Sequence, residues 1–357
     1  MPEPVDLAPA PPPSLATVGA AVDLRVDAVL QAEIDRWALV DERLVAPLDA
    51  LRDLVLAGGK RLRPAFCHWA FVGAGGDPSD ARVVDLGAAL ELLHTFALVH
   101  DDVMDNADTR RGAAAIHTAA ISSHQDQAWR GEARRFGEGV AILVGDFAFV
   151  YADQLASVLE PAARRLYDEL RIELCVGQYL DLAATASGER DPAVARRIEW
   201  YKSGKYTVER PLHLGAALAG RADELAAPLS AFGLPLGEAF QMRDDLLSVF
   251  GDPARTGKPV GDDLREGKLT PLVAATAARA NGAGLRLLER IGTPELTEPD
   301  VVDLQAVMVE CGAVAEVEAA IEALVGQSLD ALGHAPISAD AQVALRELGN
   351  FVAWRDR

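Results

Sequence analysis

The chain reads as all-α: a single-domain helical bundle around a deep central cavity. Two observations carry that reading. Half of the 357 residues are hydrophobic and alanine and leucine dominate them, while the period-two alternation of Val, Ile and Thr that marks strands is scarce. Long segments also keep apolar residues at helical spacing, and two of them carry similar acidic clusters, which suggests a pseudo-symmetric bundle. Taken in order, residues 1–20 are Pro- and Ala-rich, with a Pro11-Pro12-Pro13 run, and are expected to be a disordered tail. One folded domain is expected over 21–357, its helical pattern starting near Val22. Ser79 is the expected N-cap of a helix reaching Asp105, with Leu86, Leu90, Leu93, Ala97 and Val99 along it. That segment is apolar almost all round, so it should be central and buried. Further helices are expected from Pro161 to Ala184 and from Leu234 to Phe250. Polar loops are expected at 106–112, 188–191, 251–267 and 292–299, and no repeat or internal linker is apparent.

Composition excludes several roles. A net charge of −20 argues against nucleic acid as a partner and against an anionic membrane surface, both of which need clustered basic charge. Cys67, Cys175 and Cys311 have no metal spacing and an odd count, so they read as reduced core thiols of a cytoplasmic protein. Met1 is followed by acid and proline rather than a basic and apolar leader. The most apolar stretches, 83–99 and 140–152, are interrupted by Asp85, Glu91, His94 and Asp146, so no transmembrane segment is expected. Only five of the 34 basic residues are lysines (Lys60, Lys202, Lys205, Lys258 and Lys268), and all fall in Gly-rich or polar segments.

The chemistry concentrates in two acidic clusters. DDVMD places Asp101 and Asp105 one turn apart on one helix face, with Asp102 beside them. DDLLS places Asp244 and Asp245 within a turn of Gln241. Carboxylates crowded on an apolar helix repel and lose hydration, a cost that a divalent cation removes. Hard oxygen donors suit Mg²⁺, which binds one or two carboxylates and fills its shell with water and phosphate oxygens. The expected cargo is therefore a magnesium-bound phosphate or diphosphate.

Five segments combine with these clusters. GGKRLRP at 58–64 puts Lys60, Arg61 and Arg63 on a glycine-started turn suited to an anion. HTFALVHDDVMD at 94–105 is followed by Arg110-Arg111-Gly112. GQYLDL at 177–182 is followed by SGKYT at 203–207. FQMRDDLLSVFGDP at 240–253 precedes TGKPVGDDLREGKLTP at 256–271. In this order and spacing they resemble the trans-isoprenyl diphosphate synthases of the polyprenyl synthetase family, over roughly residues 25–357.

The resemblance implies an all-α fold of the isoprenoid synthase type, usually a homodimer, that joins isopentenyl diphosphate head-to-tail (1′-4) to an allylic diphosphate. It implies that Asp101, Asp105 and Asp244 bind a Mg²⁺ cluster on the allylic diphosphate, with Asp102 and Asp245 in support. Arg110, Lys205 and Lys258 would contact the same diphosphate. Lys60, Arg63, His94 and Arg111 would hold the diphosphate of isopentenyl diphosphate. Gln178, Asp181, Thr207 and Gln241 would line the site near the forming carbocation, and Lys268 would come from a closing loop. These residue types suit a reaction in which an allylic C–O bond breaks heterolytically, because cations stabilise the leaving diphosphate and no protein nucleophile is needed.

Ser248 stands where many members carry a last aspartate, and Tyr206 intervenes between Lys205 and Thr207. For product length, Phe96 lies five residues before Asp101, about 7–8 Å along the helix axis. With small Ala97 beside it, this resembles geranylgeranyl diphosphate synthases, Phe96 flooring the tunnel; Leu93, one turn deeper, is an alternative stop. A farnesyl or longer product stays open. So do two other classes. A class I terpene cyclase would not need GGKRLRP. A non-catalytic regulatory subunit should have lost aspartates or lysines that stand here.

Overall fold

The computed structural model describes residues 12–252 and 260–354. Its helices run α1 Pro13–Ala38, α2 Val45–Leu56, α3 Leu62–Gly73, α4 Ala81–Met104, α5 Ile116–Asp126, α6 Ala133–Leu155, α7 Pro161–Ser187 and α8 Pro192–Glu199. A π-helical segment, Trp200–Glu209, leads into α9, Arg210–Leu218, and the long α10, Ala222–Phe250. Shorter helices follow, and Ala313–Gly333 and Ala339–Ala353 close the bundle. Among the described residues the only strands are two-residue pieces pairing Thr109–Arg110 with Ala113–Ala114, so the all-α expectation holds.

The central helix is α4. Leu86, Leu90, Leu92, Leu93 and Val99 are buried on different sides of it, because α1, α2, α3 and α6 surround it. This is the all-round burial that its sequence predicts. Its N-cap is Asp80, one residue beyond Ser79, which instead donates to Asp77. By length and composition alone α4 and the stretch Ala133–Val158 could each cross a bilayer, contrary to the sequence reading. In the fold they pack on one another, and most of the apolar window of α4 lies inside the protein.

Two boundaries differ from expectation. The N-terminal helix starts at Pro13, not near Val22. Proline is favoured in the first helical turn, and Leu15, Val18 and Val22 are buried against the bundle. Residues 13–20 are thus folded; residues 1–11 lie outside the described residues. α10 begins twelve residues before Leu234 and runs through Pro228 and Pro235. Burial of Leu225, Leu229 and Phe232 outweighs the two lost backbone hydrogen bonds. Lys258 lies outside the described residues.

Three glycines bring the elements of the site into backbone contact. A Cβ on Gly177 of α7 would sit 2.3 Å from the amide nitrogen of Lys202, and one on Gly237 of α10 would sit 2.6 Å from the Cα of Gly204. The π-helical segment is therefore wedged between α7 and α10 at a spacing only glycine permits. Gly177→Ala is expected to cost about 1–3 kcal/mol, since backbone cannot rotate away as a side chain can. A urea midpoint unchanged from the parent would show that α7 can shift freely.

Candidate active site

The C-terminal half of α4 turns His94, Ala97, Leu98 and Asp101 toward a cavity of about 940 Å³. From the opposite side α10 contributes Phe240, Gln241 and Asp244. A second pocket of about 340 Å³ adjoins it and shares Lys60, Asp101, Lys202, Ser203, Gln241 and Asp244. The two acidic clusters thus face one space, as the sequence implied.

One wall is basic. Lys60, Arg63, His94 and Arg111 all line the larger cavity. Gly58 and Gly59 take positive φ, and a Cβ on Gly59 would meet the guanidinium nitrogens of Arg61 and Arg111 at 2.9 and 3.2 Å. Arg63 donates to Thr207 Oγ1 at 2.8 Å, and its guanidinium lies 4.2 Å from the Tyr206 ring centre. Arg111 donates to the Leu54 carbonyl at 2.8 Å. Burial, then the positive charge of Arg63 and Arg111, keeps His94 well below the ordinary imidazole pKa, and its Nδ1 has no partner. It meets an anion as a neutral ring. Arg61 is structural: it is buried against Glu91 at 2.7 Å and Asp23 at 2.6 Å.

Another part of the lining is acidic and bridged by lysines. Asp101 accepts from Gln178 at 2.9 Å and Lys202 at 3.1 Å, with Arg110 at 3.8 Å. Burial works to raise its pKa, but Lys202, Lys268 and Arg110 hold it well below the usual carboxylate range. Lys202 also reaches Asp181 at 2.6 Å. Lys268 reaches Asp105 at 2.8 Å and also pairs with Glu266. Asp102 is turned to Arg110, whose Nε donates to it at 2.7 Å. Its carboxylate anchors Arg110, which itself lines the smaller pocket. Gln241 donates to Asp245 at 2.8 Å. Ser248 accepts the Asp263 amide at 3.2 Å.

Three expectations need correction. Lys205 does not reach the site: it pairs with Glu173 at 2.5 Å, beside Arg210, and lines neither pocket. Lys202, which the sequence reading left without a role, occupies that place with Ser203. In the π-helical segment residues 202, 203, 206 and 207 turn to the cavity and 205 turns away. Two lysines three residues apart are equivalent until that register is known; the one signal was that Lys202 directly precedes Ser203-Gly204. Phe96 does not floor the cavity. Its ring packs 4.9 Å from Phe149 of α6 and 4.7 Å from His100, on the side of α4 away from the wall. Leu93 is wholly buried in the core and also off the wall. Of the three proposed length determinants only Ala97 lines the cavity, because residues 94, 97, 98 and 101 share one helical face.

The donor set fits a hard divalent cation. Asp101, Asp105, Asp244 and Asp245 offer oxygens only, and one oxygen of Asp245 is buried without a partner. No three acidic or thiol/imidazole groups among the described residues already converge on one point, as expected where Lys202 and Lys268 hold the carboxylates and phosphate oxygens are to complete the shell.

Buried acids here give a pH dependence. Asp245 is pushed up to about 7 by burial and then by Asp263, against hydrogen bonds from Gln241 and Glu199. Glu266 is pushed up to about 7 by burial, with Lys268 opposing. Both bind protons more tightly when folded, so their stabilising contribution is whole below about pH 4 and is lost as pH rises through 7. Asp101 and Glu173 are shifted the other way and act only in more acidic solution, whereas His68, His94 and His213, all shifted down by burial, add stability as pH rises toward the ordinary imidazole value and oppose Asp245 and Glu266 there. In the metal-free protein Asp245→Asn is expected to gain melting temperature relative to the parent between pH 5.5 and pH 8, because it removes one group that loses stability over that range. Circular dichroism melts in chelator measure it; a difference from the parent that does not change with pH would refute it.

A model of the family described as Polyprenyl synthetase matches residues 46–308. A geranylfarnesyl diphosphate synthase of Aeropyrum pernix is 31% identical over 312 residues, covering 85% of this chain and 92% of that protein. A geranylgeranyl diphosphate synthase of Mycobacterium tuberculosis is 37% identical over 233 residues, 64% of this chain and 61% of that protein. A crystal structure of a geranylgeranyl pyrophosphate synthase from Corynebacterium glutamicum, complexed with isoprenyl diphosphate and magnesium, superposes with a TM-score of 0.86 at 35% identity. The match covers 94% of this chain and 98% of that one.

Proposed function

The chain belongs to the polyprenyl synthetase family and is a prenyltransferase of the trans-condensing kind, and from this premise we propose that it makes geranylgeranyl diphosphate from isopentenyl diphosphate and an allylic diphosphate, with Mg²⁺. The observation that carries the reading is that an acidic set and a basic set of side chains line one cavity. Asp101 and Asp244 border the same space as Lys60, Arg63, His94 and Arg111, so two diphosphates of different attachment can lie with their carbon ends together. The small wall residue Ala97 and the relatives named geranylgeranyl diphosphate synthases support the 20-carbon product.

Mg²⁺, when bound, would neutralise the allylic diphosphate and draw electrons from its bridging oxygen, with Asp101, Asp105 and Asp244 as its protein ligands. As the allylic C–O bond breaks, Lys202, Arg110 and Lys268 supply positive charge to the departing diphosphate. The basic wall fixes isopentenyl diphosphate so that its double bond faces the allylic carbon; the C–C bond then forms. A proton leaves the neighbouring carbon for the released diphosphate, balancing charge without a protein base. Gln178, Thr207 and the Tyr206 ring bound the reaction volume and exclude water that would quench the cation.

The test incubates purified protein with Mg²⁺, labelled isopentenyl diphosphate and, separately, dimethylallyl, geranyl and farnesyl diphosphates, with mass spectrometry of the products. A linear 20-carbon diphosphate is expected. A 15-carbon or longer end product would keep the chemistry and overturn the length; no elongation by folded protein would overturn the reading.

A homodimer, with the cytoplasm as its compartment, belongs to the same reading. Phe136, Leu143 and Val150 repeat every seven residues on α6 and are exposed, as are Ile172, Val176 and Tyr179 on α7. Such an apolar stripe is characteristic of a protein interface. Three free cysteines suit a reducing compartment. Sedimentation at twice the chain mass is expected, with Leu143→Glu shifting the protein to monomer; a parent that sediments as monomer would refute the dimer.

A further inference from the structure

The two acidic clusters are unequal. On α4, Asp101 and Asp105 stand four residues apart on one face, but the equivalent positions on α10 are Asp244 and the neutral Ser248. Ser248 uses its hydroxyl to accept from the Asp263 amide, so it leaves that cluster one carboxylate short.

Glu199, the last residue of α8, stands beside this gap. It is 4% exposed, and apart from the Asp245 carboxyl neither carboxylate oxygen has a hydrogen-bond partner. It lines the 340 Å³ pocket together with Asp101, Asp244, Asp245 and Ser248. Its carboxyl lies against that of Asp245, which also keeps one oxygen unpartnered. The cationic and N–H groups nearest in sequence are already engaged elsewhere. Arg196 pairs with Glu238 at 2.7 Å, and the Trp200 indole donates to Glu238 at 3.0 Å. Two buried carboxyls facing each other with no cation are costly to hold unless a positive ligand enters between them and the pocket. A core-packing role would favour an apolar residue here, because an unpaired buried acid destabilises.

Resting on the reading of the site as a Mg²⁺–diphosphate site, we propose that Glu199 supplies the carboxylate that Ser248 does not, accepting from the water shell of a divalent cation held at the Asp244–Asp245 face. Glu199 is then a positioning residue. It acts through coordinated water, consistent with the absence of three converging carboxylates among the described residues. Hydrogen bonds from such outer groups typically set metal affinity by about 10–100-fold.

The test titrates Mn²⁺ by electron paramagnetic resonance in the presence of inorganic pyrophosphate. Glu199→Gln keeps shape and removes charge; it is expected to weaken Mn²⁺ binding by about 10–100-fold. Ser248→Asp in the same chain should recover most of the loss. Ser248→Asp alone, with Glu199 intact, should change affinity little, and about tenfold tightening there would overturn the proposal even if Glu199→Gln failed to fold. Asp244→Asn separates the two readings. If it abolishes binding while Glu199→Gln binds like the parent, Glu199 merely shares a proton with Asp245 and the proposal falls. If neither variant changes binding, the metal reading of the site falls with it.

Discussion

Asp101→Asn is expected to abolish turnover while leaving the fold intact. Asp101, like Asp244, borders both pockets, and Gln178, Lys202 and Arg110 converge on it. Losing a metal ligand removes several kcal/mol of leaving-group stabilisation. At about 1.4 kcal/mol per factor of ten, kcat should fall by on the order of 10³-fold. Stability should change little, because Lys202 keeps Asp181 as a partner at 2.6 Å. Single-turnover rates with allylic and isopentenyl diphosphates, beside a thermal melt, measure both. A variant retaining a tenth of the parent rate would remove Asp101 from the metal set.

Lys202→Ala and Lys205→Ala should fail in opposite ways. Lys202 contacts Asp101 and Asp181 at the edge of both pockets. Its loss removes a cation from the leaving diphosphate and should lower kcat by about 10²–10³-fold. Lys205 ties the π-helical segment to Glu173 of α7. Its loss leaves the buried Glu173 with Arg210 as its remaining ion-pair partner. The expected cost is about 1–3 kcal/mol of stability, with kcat of the folded fraction near the parent value. Activity lost with Lys205 and kept without Lys202 would reverse the assignment.

These two lysines mark how far a sequence reading extends. The all-round apolarity of α4, the oxygen-only clusters at 101–105 and 244–245, and the glycine-started basic turn were all legible. Each is a local property: helical spacing, donor chemistry, or backbone freedom at Gly58 and Gly59. That Gln178 and Asp101 line one site was implied by the ordered motifs. The start of α1 at Pro13 and the passage of α10 through Pro228 and Pro235 were not legible, because burial of Leu15, Leu225 and Phe232 against distant elements overrides local signals.

By itself, then, the sequence determined the helical class, the two acidic faces and the diphosphate chemistry, all of which depend on residue type and short-range period. Only the tertiary structure decided which side chains on one helix share the cavity. The π-helical register, held by close contacts at Gly177, Gly204 and Gly237, selects Lys202 over Lys205. The packing of α4 on α6 turns Phe96 toward Phe149, while Ala97 faces the site. The packing of α8 and the π-helical segment on α10 brings Glu199 beside Asp245 across 46 positions of chain. A residue's facing depends on the rotation of its helix against neighbours far away in sequence, and no local pattern encodes that rotation.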